Sequence, residues 1–149
     1  TLGGDSGISQ ESNSEENSGP ELAIGEKADY ENAQNALIEE RFADSLILFE
    51  RFLENYPDSP LSASVIIARG NAYEGLGEIK KAARAYLNSF SLYEDSPVAP
   101  EALTLLGNAL VSLGQTDAGC QTLAQVLMRF PDSDFSLDAE KMMSELQCP

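Results

Sequence analysis

Tyr56-Pro57-Asp58-Ser59-Pro60 is the first of three matching segments in this chain. The other two are Tyr93-Glu94-Asp95-Ser96-Pro97 and Phe130-Pro131-Asp132-Ser133-Asp134, and each begins 37 residues after the one before it. A fixed period of this length is typical of a solenoid, in which each unit buries its apolar face against the next unit. The spacing therefore predicts a repeat scaffold that binds other molecules.

The same step of 37 residues relates other parts of the chain. Gly70-Asn71-Ala72 recurs as Gly107-Asn108-Ala109, and Leu76-Gly77 recurs as Leu113-Gly114. The first unit departs from this pattern, since Ala33 and Glu40 stand where the later units have glycine. Terminal repeats are often atypical because one of their sides lacks a neighbour.

The spacing of apolar residues predicts an all-α fold. No segment alternates apolar and polar residues with the period of two that a half-buried strand needs, whereas residues such as Leu46, Phe49 and Leu53 fall on one face of a helix. The pattern predicts helices over residues 28–40, 43–56, 61–76, 79–93, 98–113, 116–130 and 135–147. The first six helices form three helix-turn-helix repeats, and the seventh has no partner. Met142, Met143 and Leu146 give the seventh helix an apolar side, which is typical of a C-terminal capping helix.

The first 27 residues differ in composition from the rest. They are rich in Gly, Ser, Asn and Glu, and they contain few apolar side chains to offset the entropy of ordering. We predict a disordered acidic linker over residues 1–27 and a folded domain over residues 28–149. Because the chain begins at Thr1 without an initiator Met, we expect it to be a processed product or a fragment.

The net charge of −16 limits the classes of partner. Phosphates would repel such a chain, so the charge argues against binding nucleic acid or an anionic membrane. It favours a basic protein partner, although an acidic surface that is simply solvated fits equally well. No apolar run approaches the ~18–20 residues needed to span a bilayer.

Catalytic chemistry has little support in the sequence. The chain contains no His, so the usual general base near neutral pH is missing, and no glycine-rich segment has the Lys-Ser/Thr of a phosphate-binding loop. Asp132-Ser133-Asp134 resembles a calcium loop only weakly, and a helix-capping role fits it better. We therefore predict no catalytic residue, no metal site and no cofactor.

The repeat resembles a known family at specific positions. Gly70 and Tyr73 in one helix, followed by Ala82 and Tyr86 in the next, are similar to the tetratricopeptide pattern. The usual tetratricopeptide spacing is about 34 residues, and the three additional residues here lengthen the turn. The resemblance implies a solenoid of helical hairpins that binds proteins.

A narrower resemblance rests on three segments: Phe42-Ala43-Asp44-Ser45, the run from Phe52 to Pro60, and Cys120-Gln121-Thr122-Leu123 with a Cys near the C-terminus. These resemble the C-terminal domain of the cell division coordinator that works with the bacterial Tol–Pal system. That resemblance implies a periplasmic adaptor that binds the Tol energy-transducing protein and coordinates septal peptidoglycan synthesis, through its synthase machinery, with outer-membrane constriction. It also implies a trimeric coiled coil upstream of the linker. The alternative is an outer-membrane protein assembly lipoprotein, or another envelope scaffold, built from similar repeats.

Two cysteines are placed to form a disulfide. The last helical hairpin turns near residues 131–134, and 134 is midway between Cys120 and Cys148, so antiparallel helices bring both residues to one end. In the oxidising periplasm, which the family resemblance implies, such a pair would form a bridge. The alternative is a buried, unpaired Cys120 and a frayed C-terminus.

The first helices of successive repeats line the concave face of a solenoid, which predicts the partner-binding groove. The predicted groove residues are Tyr30, Gln34, Ile67, Asn71, Glu74, Thr104, Asn108 and Val111. Asn71 and Asn108 share one repeat position, at which an amide can both donate to and accept from a peptide. The competing interpretation is that both are exposed helix residues with no partner.

Arg69 stands where the repeat pattern usually has a Leu. We expect its stem to pack and its guanidinium to reach a neighbouring carboxylate. The competing interpretation is a direct contact with a ligand.

Overall fold

Residues 22–149 form seven helices that follow one another as antiparallel neighbours. The computed structural model describes residues 22–149, and over this range it contains no strand. The helices are α1 (Glu26–Ile38), α2 (Phe42–Asn55), α3 (Ser62–Gly75), α4 (Ile79–Leu92), α5 (Ala99–Ser112), α6 (Thr116–Arg129) and α7 (Asp134–Glu145). The predicted all-α solenoid, with three hairpins and a final helix, is confirmed. Every predicted helix is present.

The N-terminal boundary differs from the prediction by two residues. Helix α1 begins at Glu26 instead of residue 28, because the Glu26 carboxylate accepts a hydrogen bond of 2.6 Å from the backbone N–H of Ala23. This contact satisfies a donor just before the helix and extends the ordered start of α1. Residues 1–21 of the predicted linker lie outside the described residues.

Small residues let the helices of each hairpin approach closely. A Cβ atom added to Gly70 would lie 2.7 Å from Cδ1 of Tyr86, and one added to Gly107 would lie 2.8 Å from Cδ2 of Leu123. These distances are too short for real carbon contacts, so glycine is needed at both places. The repeat therefore places a large side chain of the second helix directly against a glycine of the first.

The tight turns inside the hairpins use the left-handed backbone conformation. Gly77 and Gly114 have φ of 76° and 80°, the conformation in which helices commonly end at a glycine. Glu40 occupies the same repeat position in the first unit and has φ of 59°. A residue with a Cβ adopts this conformation at a cost, so the backbone geometry is repeated even where the glycine is not.

The repeated Tyr-x-x-Ser segments form the turns between hairpins. The hydroxyls of Ser59 and Ser96 accept hydrogen bonds from the N–H groups of Leu61 and Val98, at 3.0 and 3.3 Å. Helices α3 and α5 begin only after these turns, so the two serines stabilise the turn itself. Ser133 does cap α7, since its hydroxyl accepts from Phe135 N–H at 3.2 Å, and the capping interpretation of residues 132–134 is confirmed.

The core runs along the whole solenoid in two clusters. A smaller cluster around Phe49, Phe52 and Val65 joins the first two helices to α3. A larger cluster around Tyr86 and Leu123 continues to α7, where Ala139 is fully buried and Met142, Met143 and Leu146 pack alongside. The capping role predicted for the last helix is confirmed, because its apolar side closes the core.

Cys120 and Cys148 form a disulfide. Their Cα atoms lie 5.6 Å apart, and the bridge ties the middle of α6 to the residues that follow α7. The prediction from the hairpin midpoint is confirmed. The bridge closes a segment with a sequence separation of 28 residues, so it holds α7 against the last hairpin.

Candidate functional site

Two hollows lie along the face formed by the first helices of the hairpins and by α7. The first hollow has a volume of about 250 Å³, and the second about 440 Å³. The first hollow is lined by Tyr30, Gln34, Ser64, Ile67, Ala68, Asn71 and Glu101, from α1, α3 and α5. The second hollow is lined by Thr104, Leu105, Asn108, Phe135, Asp138, Lys141, Met142 and Glu145, from α5 and α7.

The two hollows occupy the same place in the repeat, two periods apart. Six residues of the first hollow have a counterpart in the second, each 74 residues further along the chain. These pairs are Tyr30 and Thr104, Gln34 and Asn108, Ser64 and Asp138, Ile67 and Lys141, Ala68 and Met142, and Asn71 and Glu145. The repeat therefore builds one kind of surface concavity twice and gives each copy different side chains.

Internal hydrogen bonds organise the first hollow. The Gln34 side-chain amide donates to the Tyr30 hydroxyl at 2.6 Å, and the Tyr86 hydroxyl donates to Oδ1 of Asn71 at 2.8 Å. Tyr86 is fully buried and reaches Asn71 because Gly70 lets its ring approach α3. Asn71 therefore has a fixed acceptor side, and its Nδ2 group remains able to donate to a ligand.

The carboxylates of Glu74 and Glu101 act on the Tyr86 hydroxyl. Burial strongly raises the pKa of Tyr86, and the negative charge of Glu74 raises it further, so the group stays a protonated donor. Burial also raises the pKa of Glu74, and the Tyr86 hydroxyl opposes that rise. The hydroxyl has one proton, so Asn71 and Glu74 compete for it, and the hydrogen bond of 2.8 Å goes to Asn71.

The second hollow has an apolar floor and a charged rim. Its floor is formed by Leu105, Phe135 and Met142, which pack against the main core. The hydroxyl of Thr104 donates to the carbonyl of Pro100 at 2.8 Å, so it is already engaged within α5. Asn108 is exposed at the edge. This hollow can accept a large apolar side chain.

The structure brings six of the eight predicted groove residues into the two hollows. Tyr30, Gln34, Ile67 and Asn71 line the first hollow, and Thr104 and Asn108 line the second. Glu74 lies beside Tyr86 and lines neither hollow. Val111 faces α6, where a Cβ atom added to Gly119 would lie 2.5 Å from its Cγ2 atom. The binding role of all eight residues stays a prediction.

The sequence interpretation missed the α7 wall of the second hollow. It treated α7 only as an end cap, although α7 also lies beside α5 in the structure. One further step of 37 residues from Thr104 and Asn108 leads to Lys141 and Glu145. Extending the period past the last complete hairpin would have found these residues. The same reasoning applies to Glu101, one step beyond Ser64.

Arg69 pairs with a carboxylate, as expected. Its Nη2 atom lies 3.5 Å from Oε1 of Glu50, and its side chain is 27% exposed. The guanidinium thus links α3 to α2 on the side away from the two hollows. Asn71 is half-buried and hydrogen-bonded, so it is not an exposed residue without a partner, whereas Asn108 is exposed. Ligand binding by either asparagine stays a prediction.

The described part of the chain lacks two kinds of feature. Residues 22–149 contain no group of three or more Cys, Asp or Glu side chains placed to hold a metal ion. None of the helices within that range is both long and apolar enough to cross a membrane.

A family comparison agrees with the geometry. The tetratricopeptide repeat family matches residues 101–133, which cover most of α5, all of α6 and the following turn. One repeat of the helical solenoid formed by residues 22–149 thus matches the tetratricopeptide family. No curated protein matches the chain. Tetratricopeptide domains are generally protein-binding scaffolds without catalytic activity, so the repeat indicates a protein–protein interaction adaptor.

Proposed function

We propose that this tetratricopeptide domain is a non-enzymatic adaptor that binds one basic, extended segment of a partner protein across both hollows. The observation that carries the proposal is the repetition of the concavity at identical repeat positions on one face. An extended ligand that crosses the helices of a solenoid meets equivalent positions at regular intervals. Two such concavities therefore provide two anchoring points on a single segment.

The spacing of the helices sets the length of that segment. Packed helices lie about 8–10 Å apart, and the two hollows are two helix spacings apart, so their separation is roughly 16–20 Å. An extended chain advances about 3.3 Å per residue, which places the two anchors about five or six residues apart. The anchor for the first hollow is a polar or basic side chain, and the anchor for the second is a large apolar one.

The negative charge around the hollows also favours a basic partner segment. Glu101 lies in the first hollow, Asp138 and Glu145 flank the second, and the whole chain has a net charge of −16. Lys141 is the one cation among the residues that line the hollows. A basic segment would be attracted over a long range, and its association would be accelerated at low ionic strength.

The finer proposal places this adaptor in the periplasm, in the Tol–Pal system. It is supported by the resemblance of the segments at 42–45, 52–60 and 120–123, and by the disulfide, which suits an oxidising compartment. In this proposal the partner is the Tol energy-transducing protein. The adaptor coordinates septal peptidoglycan synthesis with outer-membrane constriction, and its parent protein trimerises through an upstream coiled coil.

The test removes the repeated asparagines together. Asn71→Ala combined with Asn108→Ala is expected to leave the fold intact and to weaken binding of the Tol energy-transducing protein by roughly 1–3 kcal/mol, the scale of two lost hydrogen bonds. Calorimetry measures the affinity, and circular dichroism checks the fold. Asn88→Ala on the outer helix α4 is the matched control and should bind normally.

Unchanged affinity in the folded double variant would contradict binding across the hollows. If the Tol protein does not bind the unaltered chain at all, the Tol–Pal assignment fails while the adaptor proposal stands. A pull-down from envelope extract, repeated with the double variant, then identifies the partner that depends on the two asparagines.

A further inference from the structure

The few cations of this acidic chain are concentrated on one part of the solenoid. The chain has nine Lys and Arg residues in total, and four of them (Arg69, Lys80, Lys81 and Arg84) lie on α3 and α4. Helix α4 contains three of these four and no Asp or Glu. This concentration contrasts with the net charge of −16 and points to an anionic ligand at this place.

The cations surround a pocket of about 290 Å³ between α3 and α4. It is lined by Arg69, Tyr73, Lys81, Arg84, Ala85 and Asn88, and no carboxylate contributes to the lining. The Lys81 ammonium lies 5.7 Å from the centre of the Tyr73 ring, which holds it over an aromatic wall. The pocket thus combines positive charge, an aromatic surface and an amide, and it can hold carboxylate side chains.

Part of the positive charge around the pocket is not paired with a carboxylate of the described domain. Glu78 lies 2.8 Å from Lys81, and Glu50 pairs with Arg69, but the buried Nε atom of Arg69 has no hydrogen-bond partner among residues 22–149. Arg84 is exposed, and within the same range no carboxylate lies within 4.0 Å of it. The Arg84 guanidinium therefore remains able to donate to an incoming carboxylate, and the partly exposed Arg69 side chain adds positive charge beside it.

Three of the other five cations of the domain, Lys27, Arg41 and Arg129, pair with carboxylates, whereas Arg51 and Lys141 have none within 4.0 Å among residues 22–149. Arg41 contacts both Glu39 and Asp44, and Arg129 contacts Glu94. Lys141 stands between Asp138 and Glu145 at the second hollow. Arg51 shares its pocket with Asp29, whereas the pocket between α3 and α4 brings three cations together with no carboxylate in its lining.

We propose that this pocket binds the acidic N-terminal segment of the same chain, residues 1–21. That segment contains five acids (Asp5, Glu11, Glu15, Glu16 and Glu21) and no Lys or Arg. It joins the domain at Leu22, just before α1. The contact is an electrostatic one between carboxylates and the Arg69, Lys81 and Arg84 side chains, and it requires no helix or strand in the segment.

The segment is long enough to reach the pocket. Tyr56, just after α2, donates a hydrogen bond to Asp29 near the start of α1, so the turn that leads into α3 lies at the N-terminal end of α1. Arg69 lies seven residues into α3, about 10 Å along its axis, and α1 and α3 are in contact. The pocket lies between α3 and α4, so it is also one to two helix spacings, roughly 10–20 Å, to the side of α1. The six residues from Glu16 to Leu22 can extend roughly 20 Å and the eleven from Glu11 roughly 36 Å, so Glu11 can reach the pocket.

Covalent attachment strengthens an otherwise weak contact. A tethered segment of this length has an effective concentration on the order of millimolar at a nearby site, so a few carboxylate–guanidinium contacts are enough for measurable occupancy. The contact should be sensitive to salt, because exposed charges are screened within about 3 Å at 1 M ionic strength.

Nuclear magnetic resonance of the full chain tests the proposal. Amide spectra of the unaltered chain are compared with those of a variant in which Asp5 becomes Asn and the four Glu residues of the segment become Gln. The expected shift differences concentrate at Arg69, Tyr73, Arg84 and Asn88, and they fall by at least half between 20 mM and 500 mM NaCl. Shift differences spread over the two hollows, or absent from the pocket, would overturn the proposal.

A matched pair of substitutions confirms the location. Arg84→Gln is expected to remove at least half of the shift that the segment carboxylates cause in the pocket, whereas Arg51→Gln on α2 leaves it unchanged. Equal effects of the two substitutions would overturn the assignment of the pocket. Shifts that decrease on tenfold dilution would show that the segment of a second copy binds, which overturns the intramolecular contact. No partner is added, so the outcome is separate from that of the adaptor proposal.

Discussion

The first and second hollows share a place in the repeat and differ in what supports them. Behind Asn71 of the first hollow lies Tyr86, whose hydroxyl donates to the amide. Behind Asn108 of the second lies Leu123, which is apolar and packs against Gly107 in the same way. The backbone thus repeats the concavity, while one side chain in the second helix decides whether its polar group is held in place.

This difference has a consequence for ligand choice. The first hollow presents preorganised polar groups, which favour hydrogen bonding to a defined ligand atom. The second presents Leu105, Phe135 and Met142, and methionine adapts readily to different apolar side chains. We infer that the first hollow is the more selective of the two and that the second contributes affinity.

Removing the disulfide should produce the largest difference between the two hollows, because the bridge holds α7 and α7 forms a wall of the second hollow only. Cys120→Ala with Cys148→Ala should lower the free energy of unfolding by roughly 3–4 kcal/mol in the chain-entropy model. Hydrogen exchange should become faster in α7 and stay slow in α3 and α4. The reduced unaltered chain is the control and should behave like the variant. Uniform acceleration along the chain would contradict a local role.

Replacing Gly70 and Gly107 should distinguish the two side chains that lie behind the hollows, Tyr86 and Leu123. Gly70→Ala pushes a Cβ atom into the Tyr86 ring, which is fixed by its hydrogen bond, so we expect a loss of about 2–3 kcal/mol. Gly107→Ala meets the Leu123 side chain, which no hydrogen bond holds in place, and about 1 kcal/mol is expected. Urea unfolding measures both. Equal losses would show that the hydroxyl contact does not stiffen the first hollow.

Removing the Tyr86 hydroxyl alone should leave Asn71 of the first hollow unsupported, as Asn108 of the second hollow already is. Tyr86→Phe is expected to cost about 1 kcal/mol of stability, since one hydrogen bond to a half-buried amide is lost. The first repeat already has Phe49 at this position, so the ring itself is tolerated. Nuclear magnetic resonance should show a more mobile Asn71 side chain and an unchanged Asn108. An unchanged Asn71 signal would mean that other contacts hold the amide.

The smallest expected effect concerns the charge in the first hollow. Burial raises the pKa of Glu101 above the ordinary value of 4.5, so the folded state disfavours its ionised form. The penalty is absent below pH 4.5, where the group is protonated in both states, and it appears as the pH rises through the folded-state pKa.

Glu101→Gln should therefore raise stability at pH 7 and leave it unchanged at pH 3.5, as measured by urea unfolding at the two values. Glu140→Gln, at an exposed position of α7, controls for the change in net charge. A gain of the same size at both pH values would show that ionisation of Glu101 is not its cause.

The sequence by itself determined the architecture of this protein. The period of 37 residues and the helical spacing of apolar residues predicted seven helices and a capping helix. The disulfide followed from the position of the last turn. These features are local or periodic, because backbone conformation and hairpin pairing depend on neighbours in the chain and on the next repeat.

Only the tertiary structure decided how the binding face is formed. Glu74 and Val111 share the repeat positions of a groove helix, yet one lies beside Tyr86 and the other packs against Gly119. Repeat position fixes where a residue lies on its helix, but the packing of adjacent helices decides whether that side of the helix remains open. The hydrogen bond from Tyr86 to Asn71 joins residues of two helices, so no local pattern could have revealed it.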